Sequence, residues 1–184
     1  AGLMERLFGA MRSLLAPVRG SLYLAVILTA TIFAMATGIV GAAVTVLGIM
    51  AAPMMIRSGY DARLSSGAIA AGGTLGILIP PSLTLILYGL ASEQSIGRLF
   101  MAGLGPGLLL MTLFAVYSFW VNRHIERTPF SMATAAQATY GGIFAILLPF
   151  IMIGGIYTGW FSPTEAGAVS LAYALLIEFF VHED

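Results

Sequence analysis

The chain has 184 residues, of which 59% are hydrophobic and 9% are charged, and its mean hydropathy is +0.98. Soluble domains carry about 25% charged residues, so this composition excludes an ordinary soluble domain and indicates an integral membrane protein. Eight arginines balance eight acidic residues and give no indication of nucleic-acid binding, while the lack of cysteine excludes disulfides, iron–sulfur clusters and thiolate metal sites.

Residues 1–19 differ from the rest of the chain because they combine charges with an apolar stripe at helical spacing. The stripe consists of Leu3, Leu7, Met11, Leu14 and Val18. We predict an interfacial amphipathic helix that ends near Pro17. An ordinary helix packed on its own subunit would show the same pattern.

Residues 20–56 form an uncharged run of 37 residues that is too long for one span. As a single helix it would measure about 55 Å, whereas the hydrocarbon core of a bilayer is about 30 Å thick. The run must therefore bend or break, and the glycine-containing stretch 37–41 in its middle is where we expect this. The run either crosses the membrane or returns to the side where it began.

The positions of the arginines distinguish these two topologies. A re-entrant hairpin over 20–56 places seven of the eight arginines on one side of the membrane and only Arg98 on the other, whereas a crossing divides them four and four. Cytoplasmic loops carry an excess of Lys and Arg. We therefore predict that 20–56 is a re-entrant hairpin with both ends cytoplasmic.

Residues 57–92 are predicted to form a transmembrane helix that is broken at Pro80-Pro81. The two prolines lie in the uncharged run 64–92; they remove two backbone donors and disfavour helical backbone at the residue before each. Lipid cannot satisfy the freed carbonyls, so such backbone faces protein or a water-filled cavity. Broken helices of this kind hold substrates and ions in secondary transporters, and we place the function here.

Three further segments complete the predicted all-α integral membrane fold. Residues 98–122 are predicted as a transmembrane helix, and residues 128–160 as an interfacial helix followed by a transmembrane helix from about Gly141. Residues 162–181 are predicted as a last transmembrane helix, which begins at the capping box Ser162-Pro163-Thr164-Glu165.

No pattern in the sequence indicates catalysis. His124 and His182 both lie beside charged loop or tail residues and lack a metalloprotease motif, and no pair of acids lies within a predicted span. We therefore predict that the chain is not an enzyme and that it needs no organic cofactor.

The two predicted breaks indicate a cation site. Each break frees backbone carbonyls at mid-membrane and has hydroxyls beside it, from Thr37 at the first and from Thr74 and Ser82 at the second. Carbonyls and hydroxyls with few charges suit a desolvated Na⁺ rather than a transition metal. Close helix packing is the alternative explanation for the glycine pair Gly72 and Gly76.

Several motifs, spread over most of the chain, resemble the large membrane subunit of tripartite ATP-independent periplasmic (TRAP) transporters, the DctM-like permeases. They comprise residues 37–42, 53–54, 59–61, 73–76, 80–82, 95–96, 99–100, 102–103, 106–107 and 161–166. The resemblance implies an elevator-type transporter of two inverted repeats, each with a re-entrant hairpin followed by a Pro-Pro-broken helix. The chain would cover the end of the first repeat and the start of the second, so we expect it to be part of a longer protein.

The resemblance also implies the site residues. Where the hairpin tip meets the interruption 76–82, Na⁺ would be bound by Thr37, Gly38, Gly41, Thr74 and Gly76. The substrate would lie beside the ion, at Thr74, Pro80, Pro81 and Ser82. Many family members have serines and an aspartate around this tip, where this chain offers Thr37 and Thr45 and no acid.

The implied activity is sodium-coupled import of small organic acids across the bacterial inner membrane. The implied partners are a periplasmic solute-binding protein, a small membrane subunit, the remaining half of the permease and the lipid bilayer, with no nucleic acid. The alternatives are a related elevator carrier without a binding protein, and a non-transporting membrane scaffold or truncated product. Stabilisation by Na⁺ would separate a transporter from a scaffold.

Overall fold

The computed structural model describes residues 2–125 and 132–180, and every regular element in these ranges is a helix. The helices are α1 (Gly2–Leu15), α2 (Ser21–Thr37), α3 (Val40–Arg57), α4 (Ala62–Leu78), α5 (Leu83–Ala91), α6 (Ile96–Val121), α7 (Met132–Tyr157) and α8 (Pro163–Phe180). The predicted all-α fold is confirmed.

Four helical segments in the described ranges are long and apolar enough to cross a membrane. They are Val40–Arg57, Ala62–Ala91, Ile96–Val121 and Ala135–Tyr157, and two shorter apolar helices accompany them, Ser21–Thr37 and Pro163–Ile177. The length and composition of these helices therefore identify the chain as a multi-pass membrane protein.

The long run 20–56 is broken at two residues, Gly38 and Ile39. Gly38 adopts the left-handed conformation with φ of 66°, and its N–H donates to the Ala34 carbonyl at 2.7 Å, which ends α2. Ile39 is extended, with φ of −120°, and α3 begins at the next residue. The break lies inside the expected stretch 37–41 but is shorter, because Thr37 still belongs to α2 and α3 already begins at Val40.

Helices α2 and α4 run parallel, so the segment 20–56 returns to the end of the bundle where it began. At that end the rings of Tyr23 and Tyr60 lie 4.8 Å apart, and the Tyr23 hydroxyl donates to the Asp61 carbonyl at 3.3 Å. At the other end Gly76 packs against Ala34. This is the geometry of a hairpin, whereas its placement in a membrane stays a prediction.

Small residues let α4 lie closely against α2 and α3. A Cβ atom added to Gly72 would lie 2.7 Å from the Ala30 Cβ, and one added to Gly73 would overlap Val44 of α3. Gly72 and Gly76 therefore serve helix packing, as the alternative explanation held.

The predicted broken helix consists of α4 and α5, separated by residues 79–82. Helix α4 continues through Leu78, so the expected start of the interruption at Gly76 was three residues too early. The Ser82 hydroxyl joins the two halves, because it donates to the Ile77 carbonyl at 2.7 Å and accepts from the Leu85 N–H at 3.4 Å.

Helix α1 packs part of its apolar stripe, at Leu7 and Met11, against protein, whereas Leu14 of the stripe is exposed. Met4, Leu7, Phe8 and Met11 are buried in the core formed with α2 and α7. These contacts are those of the alternative, an ordinary helix packed on its own subunit. A position of α1 in the membrane interface stays a prediction.

Helix α7 differs from the two consecutive helices predicted over 128–160. From Met132 to Tyr157 it is one unbroken helix of 26 residues, with no break at Gly141. The Thr139 hydroxyl donates to the Ala135 carbonyl at 2.7 Å, and Gly142 packs closely on Ala10 of α1, so packing supports the continuous helix. Residues 126–131 and 181–184 lie outside the described residues, and with them the start of this prediction, the end of the last predicted span and His182.

Helix α8 begins at the predicted capping box. The Ser162 N–H donates to Glu165 Oε2 at 2.7 Å, and the Glu165 N–H donates to Ser162 Oγ at 3.3 Å. The exposed Glu165 side chain therefore has the role of a helix cap.

Candidate cation and substrate site

The two helix breaks lie against each other. A Cβ atom added to Gly38, at the tip of the α2–α3 hairpin, would lie 3.7 Å from both the Cβ and the backbone nitrogen of Leu83, the first residue of α5. The hairpin tip is thus in van der Waals reach of the backbone that follows Pro80-Pro81. Sequence reasoning missed Leu83, since no local pattern reports a contact between residues 45 positions apart.

Four helix ends meet around this contact, and their dipoles differ in sign. Helices α2 and α4 end here and present carbonyl oxygens, whereas α3 and α5 begin here and present N–H groups. No residue of 37–41 or 79–83 is charged. The carbonyl ends suit a cation and the N–H ends suit an anionic group such as a carboxylate.

The Thr37 hydroxyl lies at the end of α2 and is exposed. It donates to the Phe33 carbonyl at 3.0 Å and accepts from the Ile39 N–H at 3.4 Å, so it stabilises the start of the break. Thr37 also lines a cavity of about 280 Å³ between α2, α7 and α8, where Ser170 and Tyr173 contribute the other polar groups.

The Thr74 hydroxyl lies one turn before the second break and is also exposed. It donates to the Ala71 carbonyl at 2.8 Å. In the described part of the chain no hydrogen bond joins Thr74 to Thr37, so the structure brings the two breaks together without a direct contact between the two hydroxyls.

The remaining predicted site residues divide into exposed and buried positions. Gly41 is exposed in the first turn of α3, with open space around it, whereas Gly76 is buried against Ala34. Pro80, Pro81 and Ser82 are all buried within the break. The Ser82 hydroxyl already bonds to the chain, so its observed role is to hold the break in shape.

Helix α6 supports the second break from behind. Gly103 and Gly107 of α6 face the Leu78 carbonyl and the Ile79 side chain so closely that a Cβ atom at either position would overlap them. Their spacing of four residues is a small-xxx-small pattern, which is the sequence signal that could have identified this contact.

An ion at the breaks would be bound by oxygen atoms of the backbone and of hydroxyl groups. Over residues 2–125 and 132–180 no group of three or more His, Asp or Glu side chains could hold a metal ion. Carbonyl and hydroxyl oxygens are ligands for hard cations such as Na⁺ rather than for transition metals.

Comparison with known proteins gives one consistent result. A family model described as "Tripartite ATP-independent periplasmic transporter, DctM component" matches residues 1–184. The chain is 38% identical to the C4-dicarboxylate TRAP transporter large permease protein DctM of Pseudomonas aeruginosa, and the match covers 100% of the chain and 44% of that protein.

Relatives named for other solutes match at similar identity. The chain is 36% identical to the isethionate TRAP transporter permease protein DctMQ of Oleidesulfovibrio alaskensis, over 100% of the chain and 29% of that protein. It is also 36% identical to the ectoine TRAP transporter large permease protein TeaC of Halomonas elongata, over 96% of the chain and 42% of that protein. The chain thus spans less than half the length of these relatives.

Proposed function

Since the chain belongs to the DctM-component family of tripartite ATP-independent periplasmic transporters, we propose that it forms part of the membrane permease of a sodium-coupled importer of small organic acids. The named relatives are permeases rather than enzymes. Large permeases of this family imply a binding protein and a small membrane subunit as partners, and we propose both for this protein, together with the rest of the permease in the bacterial inner membrane.

One observation carries the proposal: the contact of the Gly38 hairpin tip with Leu83 beside Pro80-Pro81. The two helix breaks bring the ends of four helical segments together, and no residue in the breaks carries a charged side chain. A packing scaffold has no need of this arrangement, because continuous helices satisfy their own backbone in lipid.

In the proposed site, Na⁺ is bound by carbonyl oxygens at the ends of α2 and α4 and by the hydroxyls of Thr37 and Thr74. Gly38 and Gly41 leave the hairpin tip open to the ion, and Gly76 acts by holding α4 close to α2. These roles rest on the exposure of Thr37, Gly41 and Thr74 and on the burial of Gly76.

The substrate is proposed to bind next to the ion, at the start of α5. Its carboxylate would face the N–H groups of α5, which carry the positive end of the helix dipole. Thr74 would border the substrate, while Pro80, Pro81 and Ser82 would shape its site as buried residues of the break. Small organic acids fit such a site, and relatives named for C4-dicarboxylate and isethionate support this class.

The test measures sodium dependence of solute uptake by the complete transporter in proteoliposomes. Thr74→Val and Thr37→Val keep the side-chain shape but remove a ligand, so each should raise the Na⁺ concentration for half-maximal uptake. Thr112→Val is the matched control, because Thr112 is an exposed helical threonine of α6 that bonds only to the Leu108 carbonyl, at 2.8 Å.

Two results would contradict the proposal. Unchanged sodium dependence in both Thr37→Val and Thr74→Val would show that the hydroxyls do not bind the ion. Uptake that needs no sodium gradient in the unmodified transporter would reject sodium coupling itself.

A further inference from the structure

A groove lies between α2, α4 and α6, away from the two breaks. Its volume is about 340 Å³. Its apolar part is formed by Ile27, Ala68, Ala71 and Phe114. These residues lie about one to three turns from the end of the bundle that Tyr23 and Asp61 mark, so the groove runs along the helices from that end.

The other part of the groove is polar and carries a positive charge. Arg63 in the first turn of α4, and Tyr117 and Asn122 near the end of α6, line it at the same end of the bundle. Asn122 is only 7% exposed, and its Nδ2 donates to the Ser118 carbonyl at 2.8 Å. The groove is therefore amphipathic, with its polar groups at one end and apolar walls at the other.

The Arg63 guanidinium is not bonded to a counter-charge within the described residues. It forms no ion pair or hydrogen bond there, and the nearest acid in sequence, Asp61, uses its carboxylate to cap α4 by accepting from the N–H groups of Arg63 and Leu64 at 2.9 Å. Two further arginines lie at this end, because Arg19 donates to the Arg123 carbonyl at 3.1 Å next to the contact between Gly20 and Asn122. This end of the groove attracts an anion.

We propose that this groove binds one anionic phospholipid of the surrounding bilayer. The lipid phosphate lies at the Arg63 guanidinium and the Tyr117 hydroxyl, and one acyl chain follows the apolar wall from Gly67 towards Ala71. From Arg63 to Ala71 the helix rises about 12 Å, a length that holds a substantial part of an acyl chain. Basic pockets between transmembrane helices are typical sites for anionic lipid headgroups.

The division of the groove into two parts favours a lipid over other anions. A free phosphate would use Arg63 but leave the apolar walls of Ala71 and Phe114 uncovered. A neutral lipid would fill the walls but leave the arginine without a counter-charge. Only a ligand with both an anionic head and a hydrocarbon tail matches both ends.

The test compares lipid binding by native mass spectrometry on the purified chain, in detergent with phosphatidylglycerol and phosphatidylcholine of identical acyl chains. The unmodified chain should retain phosphatidylglycerol preferentially. Arg63→Gln should reduce that preference about fivefold, the contribution of one basic residue near an anionic membrane surface, and Arg63→Lys should keep most of it. Arg98→Gln is the matched control, since Arg98 is an exposed arginine outside the groove.

A second pair of variants tests the acyl-chain part. Gly67→Leu places a side chain into the groove, where a Cβ atom would have no neighbour within 4 Å, and should weaken phosphatidylglycerol binding with Arg63 intact. Gly105→Leu is its control, because Gly105 has equally open surroundings but lies outside the groove. Circular dichroism would establish that each variant keeps the helical content of the unmodified chain.

Three outcomes would overturn the proposal. Equal retention of the two lipids would show that the groove has no preference for an anionic head. Equal losses in Arg63→Gln and Arg98→Gln would assign the preference to overall charge. Displacement of phosphatidylglycerol by inorganic phosphate, or by the deacylated headgroup, at equal concentration would identify an anion site that does not bind lipid.

Discussion

At the scale of single residues, the hairpin tip depends on one glycine in a left-handed conformation. Gly38 has φ of 66° and ends α2, whereas Gly41, three residues later, is helical and has open space around it. Both glycines stand in the same short motif, yet only one of them has a conformation that other residues rarely adopt.

Replacing the two glycines should have opposite effects on stability. Gly38→Ala should lower the free energy of unfolding by about 1–2 kcal/mol, because a Cβ atom is unfavourable in the left-handed region. Gly41→Ala should leave it unchanged or raise it by about 0.5–1 kcal/mol, since alanine favours a helix interior. Thermal or denaturant unfolding in detergent, followed by circular dichroism, measures both. Equal destabilisation by the two changes would contradict the assigned conformations.

The sequence predicted where the hydroxyls lie along the chain but not where they point. Thr37 and Ser82 lie at the breaks as predicted, whereas Thr74 lies within α4, one turn before the second break; each donates to a carbonyl of its own segment. Serine and threonine in helices commonly bond to the preceding turn, so proximity to a break does not establish which hydroxyls are free to bind an ion. Whether they bind Na⁺ stays a prediction.

At the scale of helices, the breaks were predictable and one continuous helix was not. Pro80-Pro81 and the uncharged run 20–56 carry local signals that alone predict the interruptions near their observed places. The continuity of α7 through Gly141 depends on a contact with α1, where Gly142 packs on Ala10. The contact of Gly142 with Ala10 has no such local signal, so the polarity of this stretch suggested a separate interfacial helix.

The close packing of α4 on α2 gives a prediction with a control in the same helix. Gly72→Ala should lower the free energy of unfolding by about 1–3 kcal/mol, because the new Cβ atom would lie 2.7 Å from Ala30 and force the helices apart. Gly67→Ala should stabilise α4 by up to about 1 kcal/mol, since no atom lies within 4 Å and alanine favours helix. Chemical denaturation of both variants checks the difference, and a similar loss in each would argue against the α2–α4 contact.

At the scale of the whole molecule, two features agree that the segment 20–56 folds back as a hairpin. Seven of the eight arginines fall on one side if 20–56 is re-entrant. The structure brings Tyr23, near the start of that segment, and Asp61, shortly after its end, to the same end of the bundle. The parallel course of α2 and α4 follows from this arrangement. The chain nevertheless spans less than half of its relatives, so the sidedness of the complete permease is a proposal.

Cysteine accessibility tests this topology, and the chain contains no cysteine to interfere. Ser13→Cys and Ser58→Cys should both be protected from a membrane-impermeant thiol reagent added outside intact cells, whereas Ser95→Cys, near Arg98, should react. Labelling of Ser58→Cys without labelling of Ser13→Cys would mean that 20–56 crosses the bilayer, and the hairpin prediction would then be wrong.

The central claim is that the hairpin tip lies in contact with the backbone that follows Pro80-Pro81. Disulfide formation between the two segments tests this contact most directly. The Cβ separation of 3.7 Å between positions 38 and 83 lies within the range of about 3.5–4.5 Å found in disulfides. Gly38→Cys combined with Leu83→Cys should therefore oxidise to an intramolecular disulfide in the membrane-embedded chain, detected by mass spectrometry of proteolytic fragments. Gly41→Cys combined with Leu83→Cys should oxidise far less. Failure of the 38–83 pair to cross-link in a folded protein, or equal cross-linking of both pairs, would contradict the claim.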